Sequence, residues 1–124
     1  MGNGYNINGE MTFEIKQGKG YIKEYYDSGK LKYEGEYLYG EKNGKGKEYF
    51  YGRLKYDGEY LNGEWNGNGK EYYDNGILKY NGEFLNGKKD HKGKEYFDNG
   101  GLKYEGEYLY EKKWNGKGYN YKGE

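Results

Sequence analysis

Along Leu78-Lys79-Tyr80-Asn81-Gly82-Glu83-Phe84, apolar or aromatic residues alternate with polar ones, the two-residue period of a half-buried strand. The same alternation returns at Leu31/Tyr33/Gly35/Tyr37, Leu54/Tyr56/Gly58/Tyr60 and Leu102/Tyr104/Gly106/Tyr108, each set predicted to share one sheet face. Upstream of each lies a short aromatic segment: Tyr25/Tyr26, Tyr49/Phe50, Tyr72/Tyr73 and Tyr96/Phe97. Tyrosine and phenylalanine favour strands, and two adjacent rings point to opposite faces. Asp74-Asn75-Gly76 separates the two halves, and Asn-Gly supplies the positive φ angles of a tight hairpin turn. A second polar turn, Asn86-Gly87-Lys88-Lys89-Asp90, leads onward. Two strands and two turns per period predict a β-meander. A helix is excluded, because glycine recurs in every window at roughly 1 kcal/mol per position.

The period is the dominant feature. Lys70–Gly93 recurs as residues 23–46, 47–69 and 94–118, copies of 24, 23, 24 and 25 residues when taken in chain order. Self-similarity at this length marks stacked supersecondary units rather than one thick core. The chain divides as one repeat domain over 1–124: a divergent first unit (1–22), full repeats 23–46, 47–69, 70–93 and 94–118, and a partial terminal unit, 119–124. Residues 4–10 and 118–124 match almost position for position, and Met11–Ile15 reads as a strand of its own. The final residues read either as a cap or as the start of a further repeat. About ten strands at ~4.8 Å spacing give a twisted sheet about 50 Å long.

Within this sheet Gly35, Gly58, Gly82 and Gly106 are predicted to be structural: each leaves a bare backbone patch on which an aromatic ring lies flat. The opposite face is predicted to pair Lys32, Lys55, Lys79 and Lys103 with Glu36, Glu59, Glu83 and Glu107, four residues along. Gly-Lys-Gly and Gly-Asn-Gly (18–20, 44–46, 67–69) are read as hairpin turns; no helix follows them, as a phosphate loop would require.

The motif Tyr-Glu-Gly-Glu-Tyr-Leu, then a glycine turn and Asn-Gly-Lys-Gly, as in residues 33–46, resembles the MORN (membrane occupation and recognition nexus) repeat. Residues 33–37, 56–60, 80–84 and 104–108 carry it in register, with Tyr or Phe where the family usually has Trp. The longer Tyr-Tyr-x-Asn-Gly-x-Leu-Lys form resembles a bacterial variant, some members of which are labelled antitoxin components. The resemblance implies an elongated antiparallel sheet acting as scaffold, dimerisation device or lipid-associated module.

Composition narrows the function classes. Valine is absent and Leu, Ile and Phe are few, so 20 tyrosines carry the burden of burial. The 21 basic and 21 acidic side chains cancel, leaving no excess to hold a nucleic-acid backbone and little general attraction to anionic lipid. No apolar run reaches the length of a bilayer span, and without cysteine there is neither a disulfide framework nor thiol chemistry. A cytoplasmic protein is expected, with peripheral attachment to membrane or cytoskeleton as the variant. Met1–Asn6 begins like a myristoylation signal but has Asn6 where Ser or Thr is wanted.

No catalytic, metal or cofactor residues are expected. Acidic residues sit at repeated positions, where one catalytic pair would not be copied four times, and Ser28 is the only serine. His91 occupies the slot of Gly44 and Gly67 and reads as a turn substitution, since a lone histidine makes no ordinary metal site. The candidate interaction surface comprises Tyr37, Tyr60, Phe84, Tyr108 and two tryptophans, Trp65 and Trp114. These tryptophans are placed in equivalent loops, Trp114 beside a one-residue insertion. A protein-binding scaffold, self-associating through its terminal strands, is the leading reading; peripheral phospholipid binding and, behind it, an antitoxin-like or sugar-binding repeat are the alternatives.

Overall fold

The computed structural model describes residues 11–16 and 18–120. The expectations for Met1–Asn6, and the matching ends 4–10 and 118–124 apart from residues 118–120, fall outside those residues. The chain forms ten strands: β1 (Met11–Lys16), β2 (Lys19–Tyr25), β3 (Leu31–Leu38), β4 (Glu41–Phe50), β5 (Arg53–Leu61), β6 (Glu64–Tyr72), β7 (Leu78–Leu85), β8 (Lys88–Tyr96), β9 (Leu102–Leu109) and β10 (Lys112–Gly118). All neighbours pair antiparallel, and the sheet order is the chain order. This is the all-β array of consecutive hairpins that the alternation predicts. Among the described residues there is no helix, and so none long and apolar enough to cross a membrane.

Two kinds of turn join the strands. Tyr39-Gly40, Asn62-Gly63, Asn86-Gly87 and Tyr110-Glu111 are two-residue turns with both φ angles positive, the type I′ form whose twist matches the flanking strands. They stack on one rim, where Gly63, Gly87 and Glu111 donate their amides to the carbonyls of Lys42, Trp65 and Lys89 one repeat earlier (2.9, 2.8 and 2.6 Å). On the other rim, the Asp74-Asn75-Gly76 turn differs in type from the sequence expectation. Only Gly76 has positive φ; Gly76 N–H donates to the Tyr73 carbonyl, and the Asn75 side chain accepts from the Ile77 amide (both 2.9 Å). Asparagine acts there through its side chain rather than its backbone.

Of the three Gly-x-Gly segments read as turns, 18–20 begins in the β1–β2 turn, where Gly18 has φ of 77°, but the other two are not turns. Gly44 and Gly46 lie inside β4, and Gly67 and Gly69 inside β6. An Asn-Gly or Tyr-Gly turn needs only two residues, so the strand resumes at once, and the extra length is absorbed in a bulge. Gly35 pairs with Gly46 and Tyr37 with Lys42, so one residue of β3 faces three of β4. Gly44, Gly67 and His91 occupy that bulge with φ of 87°, 90° and 69°. In β10 the bulge is a residue shorter: Gly106 pairs with Gly116 and Tyr108 with Lys113. Trp114 therefore marks no insertion within its hairpin, and the copy's extra length falls beyond Gly116.

A second bulge corrects the predicted faces. Tyr80 pairs with Glu71 but Leu78 with Tyr72, so Lys79 is the extra residue. The leucine is thereby shifted to the face of Tyr72, and the lysine to the tyrosine face, because one added residue inverts the alternation. Lys79 consequently meets Glu71 (3.6 Å) and Lys55 meets Glu48 (3.9 Å), not Glu83 and Glu59. The register instead places Glu34–Lys47–Asp57–Lys70–Asn81–Lys94–Glu105–Lys117 in one row across the far face, alternating in sign except at Asn81.

The core lies on the near face and consists of rings. Tyr33, Tyr56 and Tyr80 are fully buried and Tyr104 nearly so, each followed two residues later by a glycine that faces another across the hairpin: 35/46, 58/69, 82/93 and 106/116. The tyrosine lies across the glycine pair. A Cβ on Gly69 would meet the Tyr56 ring, and one on Gly58 would meet the backbone of Gly69 and Asn68. Each hydroxyl donates to a carbonyl three residues on: Tyr33 to Glu36 (3.1 Å), Tyr56 to Glu59 (2.8 Å), Tyr80 to Glu83 (2.9 Å) and Tyr104 to Glu107 (2.8 Å).

Glycine substitutions separate close approach from backbone conformation. A Cβ at Gly82 would meet the Gly93 Cα, the Lys92 carbonyl and the Tyr80 hydroxyl, mostly unyielding atoms, whereas Gly76 opens to free space but has φ of +88°. Gly82→Ala is expected to cost about 3 kcal/mol and Gly76→Ala about 1 kcal/mol. Denaturant unfolding of both variants checks this, and equal losses would refute the ring-on-glycine packing.

Candidate functional site

The buried tyrosines extend into one ladder. Ring centroids run edge-to-face from Tyr37 to Tyr33 (5.6 Å), Tyr60 (5.4 Å), Tyr56 (5.2 Å), Phe84 (5.6 Å), Tyr80 (5.0 Å), Tyr108 (5.6 Å) and Tyr104 (5.2 Å). Such contacts add about 0.5–1.5 kcal/mol each beyond the area removed from water. Four residues of the expected interaction surface are thus in this ladder. Tyr60, Phe84 and Tyr108 are buried and Tyr37 is half-buried. Tyr60, Phe84 and Tyr108, covered by their own array, are therefore core rather than contact surface, and Tyr37 packs against the edge of that core. The alternation located them correctly as one face, but a single-layer sheet has no second layer, and the face must close on itself.

Closure comes from the next strand. Opposite Tyr37, Tyr60, Phe84 and Tyr108 stand Lys42, Trp65, Lys89 and Lys113. The ammonium groups of Lys42, Lys89 and Lys113 lie 4.7, 5.4 and 5.2 Å from the ring centres of Tyr33, Tyr80 and Tyr104. In the remaining repeat the Trp65 ring stacks on Tyr56 at 4.2 Å, nearly parallel. Trp65 is a lid on the core. Its counterpart is Lys113, not Trp114, so the two tryptophans are not equivalent. Trp114 sits in the short bulge of β10, 66% exposed, with Leu109 (63%) and Tyr110 (48%) on the same hairpin.

A row of glutamates lines the ladder: Glu24, Glu48, Glu71 and Glu95 pair opposite Tyr33, Tyr56, Tyr80 and Tyr104. Each is engaged. Glu48 accepts from the Tyr60 hydroxyl (2.8 Å) and Trp65 Nε1 (3.2 Å). Phe84 has no hydroxyl to offer, and Glu71 is served by Lys79 instead. Glu95 binds Lys89 (2.8 Å) and Lys113 (3.3 Å). Burial works against charge here, pushing Glu95 up and Lys89 down. Their mutual bond, with Lys113 and Glu111 nearby, outweighs it and holds Glu95 below and Lys89 above its ordinary value. The recurring Lys-Glu-Tyr of the sequence was the signal for this row, but only the register shows which face it takes.

On the far face Glu36, Glu59 and Glu83 each cap a bulge. Glu36 accepts from the Lys45 amide (3.3 Å), Glu59 from the Asn68 amide (2.9 Å), and Glu83 contacts His91 Nδ1 (2.9 Å). The Glu83 bond raises the His91 pKa. His91 thus occupies a glycine's conformation and supplies its own partner to the glutamate. Among the described residues no three His, Asp or Glu side chains converge as metal ligands. No family model matches the chain, and no curated protein matches it.

Two measurements test the core. Burial raises the phenol pKa of Tyr33, Tyr37, Tyr56, Tyr60, Tyr80 and Tyr108 above the ordinary 10.0, with Glu48 adding to the effect at Tyr60. The unfolded chain ionises first, so this stability is intact below about pH 10 and is lost as pH climbs beyond it. Tyrosinate absorbance is expected in two steps, exposed rings near their ordinary pKa and buried ones only as the sheet circular dichroism disappears. Titration of every ring in one step with the sheet intact would contradict the ladder. Lys89→Ala is expected to cost about 2 kcal/mol by uncovering Tyr80 and Glu95, against under about 0.5 kcal/mol for the more exposed Lys79→Ala; equal Tm losses would remove the distinction.

Proposed function

We propose that this chain is a non-catalytic MORN-type repeat scaffold that holds a protein partner. The observation that carries the reading is the division of its aromatic residues. The ladder is sealed by Lys42, Trp65, Lys89 and Lys113, yet the β9–β10 hairpin exposes Leu109, Tyr110 and Trp114 together. Exposed tryptophan beside apolar neighbours is the composition of a protein-contact anchor. The carboxylates of the aromatic face support a non-catalytic role, since Glu48, Glu71 and Glu95 are tied to tyrosine, tryptophan or lysine. Four in-register Tyr-x-Gly-x-aromatic motifs support the family resemblance. Self-association through a terminal strand belongs to the same reading, since every described side chain of β10 is exposed.

Peripheral lipid binding is the second reading, favoured by one observation: Tyr110 and Trp114 stand beside Lys112, Lys113 and Lys117, a pattern of membrane-interface anchors. Lys113 is committed to Glu95, which weakens it. Flotation with neutral, phosphatidylserine and phosphoinositide vesicles at physiological salt separates the two. The scaffold reading expects no co-migration; selective co-migration with one vesicle type that Trp114→Ser abolishes would replace it with the lipid reading.

A further inference from the structure

A regular array repeats any site it carries, so a single site has to come from an irregular repeat. The rim between the second and third repeats is irregular. At this rim β-pairing between adjacent repeats stops at Tyr33↔Glu48, Tyr56↔Glu71 and Tyr80↔Glu95, and the strands splay beyond. Two of the three junctions are latched by a tyrosine. Tyr26 donates its hydroxyl to the Tyr49 carbonyl (3.1 Å), and Tyr73 donates to the Tyr96 carbonyl (2.7 Å). In the repeat between them the corresponding residue is Phe50, which has no hydroxyl to give to Tyr72. Its loop is also reduced to the two-residue turn Tyr51-Gly52. The junction stays open as a depression of about 570 Å³ lined by Phe50, Arg53, Leu54, Tyr72, Tyr73 and Asp74, a volume within the range of ligand pockets.

The lining is as distinctive as the shape. Arg53 is the single arginine among 21 basic residues, and it lies at this notch, exposed. Among the described residues no carboxylate stands within ion-pair distance of its guanidinium, whereas the adjacent Lys55 and Lys79 are bound to Glu48 and Glu71. The Phe50 ring is 53% exposed beside it. An arginine fork recognises a carboxylate in a way that lysine does not. Asp74 and Asp98 also line the depression, with Glu71 held by Lys79, and these carboxylates oppose a strongly anionic group such as a phosphate.

We propose that this notch receives a protein segment that presents a tyrosine followed by an acidic residue. The tyrosine ring lies against Phe50 and its hydroxyl donates to the Tyr72 carbonyl, replacing the missing latch. The neighbouring carboxylate takes the Arg53 fork. This rests on the scaffold reading and gives it a partner chemistry.

The lone arginine makes the test direct, because its Nε–H gives a single side-chain resonance. The isotope-labelled protein is titrated with acetyl-Gly-Tyr-Glu-Gly-amide, and with acetyl-Gly-Tyr-Gln-Gly-amide as control. The expected result is a saturable shift of the Arg53 Nε–H and of the Phe50 and Tyr73 amides, about tenfold weaker in affinity for the glutamine peptide. Followed by the Phe50 and Tyr73 amides, Arg53→Lys is expected to weaken binding about fivefold. Phe50→Tyr, which restores the latch and keeps the fold, is expected to abolish binding. No shift with the glutamate peptide overturns the notch, as does full binding to Phe50→Tyr. Shifts spread evenly over equivalent residues of all repeats also overturn it while leaving the scaffold reading standing, since that falls only on the flotation result.

Discussion

Everything in this sheet depends on laying a tyrosine ring across a facing pair of glycines. A single layer offers no opposing sheet or helix against which apolar side chains can be buried. The rings of Tyr33, Tyr56, Tyr80 and Tyr104 therefore turn flat onto their own backbone, and flat contact is available only where Cβ is missing on both strands. From that arrangement the rest follows: the hydroxyl reaches the carbonyl three residues along, the second ring of each motif packs edge-on, and the outer ring surface is left for a lid. The glycine content that would weaken an ordinary sheet is here the condition for having a core.

The lid shows how a repeated slot tolerates different chemistry. An ammonium group over a ring and an indole stacked on it are unlike in charge and shape, yet both cover a tyrosine face. The change propagates to the glutamate row. Where the lid is Trp65, Glu48 takes its hydrogen bonds from an indole and a phenol; where it is Lys89, Glu95 becomes part of a charge cluster. Neighbouring positions therefore act as sets, and one repeat's residue cannot be transplanted into another without its companions.

The sequence carried the fold openly and the faces only in part. The strand period, the copy length and the paired motifs lead to consecutive hairpins, and the ten strands follow that order. Two single-residue effects were hidden. The bulge at Lys79, repeated at Lys32, Lys55 and Lys103, leaves the alternation looking unbroken while moving the lysine and the leucine before it to the other faces. Trp65 and Trp114 likewise look equivalent by loop position, but pairing with Tyr60 makes one a lid, and lying a step beyond Lys113 exposes the other. A register is a long-range property, and a one-residue offset has no local signature. The notch was legible in principle: Phe50 stands where the flanking copies have Tyr26 and Tyr73, and, unlike at Phe97, the turn after it is shortened. Reading it required knowing what the tyrosine hydroxyl reaches.

The alternating row on the far face has a consequence for how such a chain grows. Each hairpin brings its positive and negative strands together, and each full copy is within one charge of neutrality. Duplicating a copy therefore adds length without adding self-repulsion, and its hydrogen-bonded rims meet the next copy as they met the last. Array length becomes something that duplication and loss can change in whole steps, with selection acting on reach rather than on folding.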